Sequence, residues 1–289
     1  MTGWVAGGVG TSSAVVKPVH SERESVKLTE VPSRHHPATT PVVVIPTYNE
    51  RANLSTLLPM VLEQSCLHVL VVDDNSPDGT AALVGEIAAS YPGRLHLLSR
   101  PAKLGLGTAY LAGFRWALNR EYDLVCEMDA DFSHDPRTLP RLVDASTHAD
   151  LVLGSRYIVG GGTANWSVLR QVISRTGSLY ARSVLSLPYQ DLTGGFKCFR
   201  RRVLETIDLD SVHSTGYAFQ IELTYRAHRA GFRIAEVPIV FEERRAGNSK
   251  MSTGIVVEAL VRVAQLRFAR CGSETAPEPS LVIPRTRPR

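Results

Sequence analysis

Leu124-Val125-Cys126-Glu127-Met128-Asp129-Ala130-Asp131-Phe132-Ser133-His134 is an apolar run that ends in a polar turn carrying two carboxylates one residue apart. Leu124 to Met128 reads as a short buried strand. Side chains on a strand alternate between faces, so Asp129 and Asp131 point the same way. Like charges held that close repel, and burial raises the cost, so the pattern asks for a cation between them. Magnesium fits, because it takes one or two protein carboxylates and fills its other positions with water and phosphate oxygens. A solvated Asp-Ala-Asp turn is the alternative that this motif leaves open on its own.

Outward from this strand, apolar runs alternate with helical spacing. Pro41 to Ile45, His68 to Val72, Leu95 to Leu98, Leu151 to Gly154 and Ile234 to Phe241 read as strands. Asn53 to Gln64, Leu106 to Asn119, Val168 to Leu187 and Ile255 to Arg270 have helical patterns. Ser76-Pro77-Asp78 looks like a helix start, with serine as N-cap and proline at the first helical position. The alternation predicts an α/β fold with a mostly parallel sheet covered on both faces. Ligands bind such sheets beyond the carboxyl ends of the strands, which puts Pro46 to Glu50, Asp73 to Ser76 and Asp129 to Asp131 on one rim.

The 289 residues are 44% hydrophobic and 21% charged with a formal charge of +4, which fits a soluble globular chain with anionic partners. No basic cluster interleaved with aromatics points to nucleic acid. Cys66, Cys126, Cys198 and Cys271 are scattered and read as reduced thiols. No run approaches the roughly 20 apolar residues that span a bilayer. Ile255 to Ala269 is broken by Glu258, Arg262 and Arg267, and residues 4–16 lack the basic start of a signal peptide. A cytosolic protein with only peripheral membrane contact is the expectation. Residues 1–38 and 272–289 lack periodicity and read as disordered tails around a single domain at 39–271.

Several motifs carry chemistry. Asp73-Asp74-Asn75-Ser76 offers a carboxylate to a base or ribose, or simply caps a helix. Lys103-Leu104-Gly105-Leu106-Gly107 resembles a dinucleotide loop, but the third glycine position is Tyr110 and the loop does not follow the first strand. Asp191 and Thr193-Gly194-Gly195-Phe196-Lys197 read as a flexible polar loop. Arg244-Arg245-Ala246-Gly247-Asn248-Ser249-Lys250 is a cationic loop able to close over a diphosphate, or a solvated surface turn. The helices Val168 to Leu187 and Ile255 to Arg270 are amphipathic and basic, which suits either a core face or a membrane surface.

Together, Val43-Val44-Ile45-Pro46-Thr47-Tyr48-Asn49-Glu50, Val72-Asp73-Asp74-Asn75-Ser76-Pro77-Asp78-Gly79-Thr80 and Met128 to His134 resemble a family 2 glycosyltransferase of the GT-A (Rossmann-like) fold. Gly154-Ser155-Arg156-Tyr157, Asn165-Trp166, Asp191 to Phe196 and Asn248-Ser249-Lys250 narrow the resemblance to the polyprenol-phosphate (dolichol-phosphate) mannose synthases, in order over about residues 40–270. The resemblance implies that Pro46, Tyr48, Glu50, Val72 and Asp74 hold guanosine, and that Asp129, Ala130 and Asp131 hold the diphosphate and Mg2+ or Mn2+. It puts Arg156 near the sugar and acceptor phosphate, Arg244 and Lys250 on the GDP phosphates, and Arg170 and Ser174 at the acceptor phosphate. Some members carry Gln as a further metal ligand where this chain has Ser133, a weaker oxygen donor.

The implied activity is inverting, metal-dependent transfer of mannose from GDP-mannose to a polyprenyl monophosphate. A lipid phosphate is already an anionic nucleophile, so no strong base is needed, and none of the nine histidines forms a base pair with an orienting group; His134 is expected to pack or cap beside the aspartates. Two rivals stand: a glucosyltransferase using UDP-glucose, and a non-catalytic sugar-nucleotide-binding regulator. For a lipid acceptor at a chain without a span, Arg170, Arg175, Arg262 and Arg267 are expected to meet lipid phosphates on the cytoplasmic side, with an integral-membrane partner as second anchor.

Overall fold

The β-branched and apolar runs form the strands their pattern predicts. In the computed structural model the chain runs β1 (Pro41–Thr47), α1 (Arg51–Leu62), β2 (His68–Asp73), α2 (Thr80–Ala88), β3 (Leu95–Ser99), α3 (Leu106–Leu118), β4 (Leu124–Glu127), α4 (Leu139–Ala145), β5 (Leu151–Ser155), β6 (Gly162–Thr163), α5 (Val168–Leu185), β7 (Lys197–Arg200), α6 (Arg201–Thr206), α7 (Gly216–Arg229), β8 (Ile234–Pro238), β9 (Val240–Phe241) and α8 (Thr253–Phe268). The structure describes residues 39–64, 66–214, 216–243 and 253–268. The expected tails, Arg244 and Lys250 lie outside those residues.

One seven-stranded sheet has the order β3-β2-β1-β4-β7-β5-β8. β1 pairs in parallel with β2 and β4, β2 with β3, and β5 with β8, while β7 runs antiparallel to β4 and β5. Along β1, Val43 and Ile45 enter a core with Leu54 and Leu58 of α1, and Val42 and Val44 enter another with Phe114 of α3 and Leu223 of α7. Both faces are covered, so the strand is apolar throughout rather than alternating. Each such buried Val or Leu contributes about 1.5–3 kcal/mol. Gly113 lets α3 lie close on β1, because a Cβ there would stand 2.4 Å from Val44 Cγ1. A third cluster, including Ala181, Leu185, Ile221, Tyr225, Val263 and Leu266, joins α5, α7 and α8. Among the described residues no helix is long and apolar enough to cross a membrane.

Three local expectations are overturned. Helix α2 starts at Thr80, not after Ser76: Asp78 Oδ1 accepts from Thr80 N at 3.0 Å and Thr80 Oγ1 at 2.6 Å. Ser76 is drawn away, donating to Asp73 Oδ1 at 2.6 Å and accepting from Asn49 N at 2.9 Å. The expected strand Ile234 to Phe241 is two strands. It leaves the sheet after Pro238, which has no N–H to continue the ladder, and Val240–Phe241 pairs with Gly162–Thr163 instead. Finally, Thr193 to Lys197 is no flexible loop, because Phe196 and Lys197 are each 1% exposed and Lys197 opens β7.

Candidate active site

Parallel pairing brings the ends of β1, β2 and β4 to one rim, where Thr47 Oγ1 donates to Asp73 Oδ1 at 2.9 Å. Just beyond β4 the two aspartates are held by hydroxyls. Tyr110 OH donates to Asp129 Oδ1 at 3.0 Å. Ser133 donates to Asp131 Oδ1 through its hydroxyl at 2.6 Å and its amide at 3.1 Å. The turn is tight enough to put Phe132 at a φ of 63°, a left-handed conformation that is unusual for a bulky side chain. Burial, then the charges of Asp129 and Glu127, push the Tyr110 phenol well above its ordinary pKa, so it remains a donor.

His134 packs and caps as expected. Its Nδ1 accepts from Asp129 N at 3.1 Å, and its ring stacks on Phe196 at 4.7 Å with Phe241 edge-on at 5.1 Å. Burial lowers its pKa despite the nearby carboxylates, so the ring is neutral and its Nδ1 lone pair is already used. Ser133, expected as a weaker oxygen ligand, is fully buried, and its hydroxyl donates to Asp131. Among the described residues no third His, Cys, Asp or Glu completes a metal-ligating cluster with the aspartates. Two hard carboxylate donors without a full protein cage fit a cation that keeps water and phosphate oxygens as ligands.

On the β1–β2 side stand Pro46, Tyr48, Glu50, Val72 and Asp74. Asn53 Nδ2 donates to Glu50 Oε2 at 2.7 Å, and Lys103 Nζ lies 4.0 Å from the centre of the Tyr48 ring. Asp74 is less open than its motif implied. Its Oδ1 pairs with Arg100 Nε at 2.6 Å and its Oδ2 accepts from Leu104 N at 3.0 Å, so the carboxylate clips the 100–105 loop to the rim. Arg100 and Lys103 contact Asp74 and Tyr48 and were not among the site residues read from the sequence, although Lys103 lies in the loop that resembles a dinucleotide motif.

Arg156 follows β5 and is buried. Its Nε and Nη2 fork onto Asp191 at 2.6 and 2.7 Å, and Nη2 also reaches Thr193 Oγ1 at 2.8 Å. Phe241 lies 5.3 Å from this guanidinium and also meets His134, so packed side chains link the aspartate turn to the Arg156–Asp191 pair. Beside Thr193 opens a cleft lined by Ile173, Tyr180, Tyr217, Ile221, Leu260 and Val263, with Arg170 and Ser174 among its polar groups. Arg170 stacks on Trp166 at 4.1 Å and pairs with Glu243 at 3.2 Å. Ser174 accepts from Tyr157 OH at 2.7 Å. Arg262, expected at the lipid phosphates, is partly exposed, and its Nε donates to Ser214 Oγ at 3.1 Å.

Glu127 and Lys197 stand opposite each other across β4 and β7, both buried. Burial pushes the Glu127 carboxyl up to about 8 and the Lys197 ammonium down to about 8, and Lys197 Nζ donates to Gln220 O at 2.6 Å. The position of Lys197 in an expected loop hid this pair from sequence reading.

The sequence model described as glycosyl transferase family 2 matches residues 42–208, more than half of the chain and the whole aspartate rim. The chain belongs to glycosyltransferase family 2. This family 2 glycosyltransferase is 50% identical over 239 residues to the polyprenol monophosphomannose synthase of Mycolicibacterium smegmatis, covering 82% of its own length and 90% of that relative. It is also 50% identical over 229 residues to the undecaprenyl-phosphate mannosyltransferase of Micrococcus luteus, covering 79% and 94%. Its backbone is similar to the crystal structure of glucosyl-3-phosphoglycerate synthase from Mycobacterium tuberculosis in complex with Mn2+, UDP and glucosyl-3-phosphoglycerate. That match has a TM-score of 0.59 at 19% identity and covers 80% of each chain; it shows the fold, which is of GT-A type.

Proposed function

We propose that this family 2 glycosyltransferase transfers mannose from GDP-mannose to a polyprenyl monophosphate, inverting the anomeric centre. The observation that carries the reading is an apolar cleft with Arg170 and Ser174 among its polar groups, joined through Thr193, Arg156 and Phe241 to the aspartate turn. An isoprenoid chain fits the apolar wall and its phosphate the polar groups. The names of both relatives support the same acceptor class and sugar.

In this reading Pro46, Tyr48, Glu50 and Val72 hold the guanosine and Asp74 shapes that pocket through the loop it anchors. Asp129 and Asp131, with Ala130 between them, hold Mg2+ or Mn2+ at the diphosphate. When bound, the cation neutralises charge on the departing GDP. Ser133 and Tyr110 fix the two carboxylates, and Arg244 and Lys250 are assigned to the GDP phosphates. Arg170 and Ser174 place the acceptor phosphate for in-line attack, which is the largest service the protein can give to a nucleophile already charged. The Arg156–Asp191 pair sets the floor between donor and acceptor. The test is labelled transfer with each donor offered separately. Label is expected to reach lipid from GDP-mannose; label reaching it only from UDP-glucose contradicts the reading.

The domain is proposed to span 39–271, and the chain to sit peripherally on the cytoplasmic side of the membrane, with an integral-membrane partner as second anchor. Val168, Leu169 and Val172 on α5 and Val261 and Phe268 on α8 are more than half exposed, beside exposed Arg175 and Arg267. Apolar side chains flanked by cations suit an anionic lipid surface. The double variant Leu169→Asp/Val172→Asp is expected to cut sedimentation with anionic vesicles about tenfold. Unchanged sedimentation would remove α5 from the membrane contact.

A further inference from the structure

The 105–110 segment departs from a dinucleotide-binding loop at Tyr110, and the structure gives that departure a use. Tyr110 lies one turn into α3, is fully buried, and stacks on Phe219 at 6.1 Å with 9° between the rings and on Phe114 at 6.2 Å. Two glycines make this placement possible. At Gly107 a Cβ would meet the Phe219 ring at 3.1 Å, and at Gly113 it would strike Val44, so α3 and Phe219 both close on the tyrosine. The stack aims the hydroxyl across to Asp129 Oδ1 at 3.0 Å.

We infer that Tyr110 is a positioning residue for the metal site, holding the Asp129 carboxylate in the orientation that a divalent cation requires. The inference rests on the reading of Asp129 as a metal ligand. A phenylalanine would fill the same aromatic stack, so packing alone does not call for the buried hydroxyl, which needs a polar partner. A neutral donor orients a carboxylate without cancelling its charge, whereas a lysine or arginine in its place would compete with the cation. Ser133 serves Asp131 in the same way from the other side of the turn. Each aspartate is thus held by a hydroxyl from a different element, and ordering of the two ligands is completed on folding rather than on binding.

The test is Mn2+ affinity in the presence of GDP, measured by electron paramagnetic resonance on wild type, Tyr110→Phe and Asp129→Ala. Tyr110→Phe is expected to bind Mn2+ about 10–100-fold more weakly. The Mn2+ concentration giving half-maximal transfer should rise by the same factor, with much of the turnover recovered at saturating Mn2+. Wild-type Mn2+ affinity in Tyr110→Phe overturns the inference, whatever that variant's stability. If Asp129→Ala loses Mn2+ while Tyr110→Phe does not, the inference alone falls. Wild-type protein that holds no Mn2+ overturns the metal reading and this inference with it.

Discussion

Replacing Asp131 with alanine is expected to lower mannosyl transfer at least about a thousandfold, equivalent to about 4 kcal/mol of transition-state stabilisation. The protein should remain folded. Asp131 lies at a rim rather than in an apolar core, and the bonds lost with it include the two that Ser133 donates, worth about 0.5–1.5 kcal/mol each. Asp131→Asn separates charge from geometry. It keeps an oxygen for Ser133 but removes the charge, so a loss similar to that of alanine assigns the effect to the carboxylate charge. Wild-type rates in Asp131→Ala with divalent metal present would refute the metal assignment.

Asp191→Ala is expected to cost about 3–5 kcal/mol of folding stability, because it strands the Arg156 guanidinium without its counter-charge. The side chains of Arg156 and Asp191 are 4% and 0% exposed, so water cannot replace the lost partner. Removing both charges should be milder than removing one, and Asp191→Ala/Arg156→Leu is expected to recover much of the loss. Urea midpoints of the three variants decide the point; equal losses in Asp191→Ala and the double variant would mean that the stranded charge is not the cause. The pH dependence has a definite sign. Burial alone would raise the Asp191 carboxyl, but Arg156 holds it below its ordinary value. The contribution of the pair is therefore complete above the ordinary carboxylate pKa of about 3.9 and is lost as pH falls through the lower, folded value. The gap between wild type and Asp191→Ala should narrow there.

The parallel half of the sheet was legible because its strands are buried on both faces, so Pro41 to Ile45, Val69 to Val72 and Leu124 to Cys126 are apolar without interruption. β7 and α7 were not. β7 opens with Lys197, whose burial depends on Glu127 across the sheet and on Gln220, and no local pattern announces such partners. In α7 the buried positions include Gln220, Glu222 and Thr224, so helical hydrophobic periodicity is masked by polar side chains that pair inside the protein. At the site, the Asp-x-Asp turn was legible from charge spacing. Arg156 was visible as a motif residue, but its commitment to Asp191, 35 positions away, is a product of tertiary packing. Tyr110 showed itself only as the residue that spoils a glycine pattern.

The most direct measurement offers the purified chain GDP-[14C]mannose, a polyprenyl monophosphate and Mn2+, and follows label into the organic phase. Metal-dependent formation of a β-mannosyl phosphate lipid, with release of an equal amount of GDP and loss of label when the metal is chelated, is the predicted result. Release of free mannose with no lipid product, or an α-linked product, would contradict it.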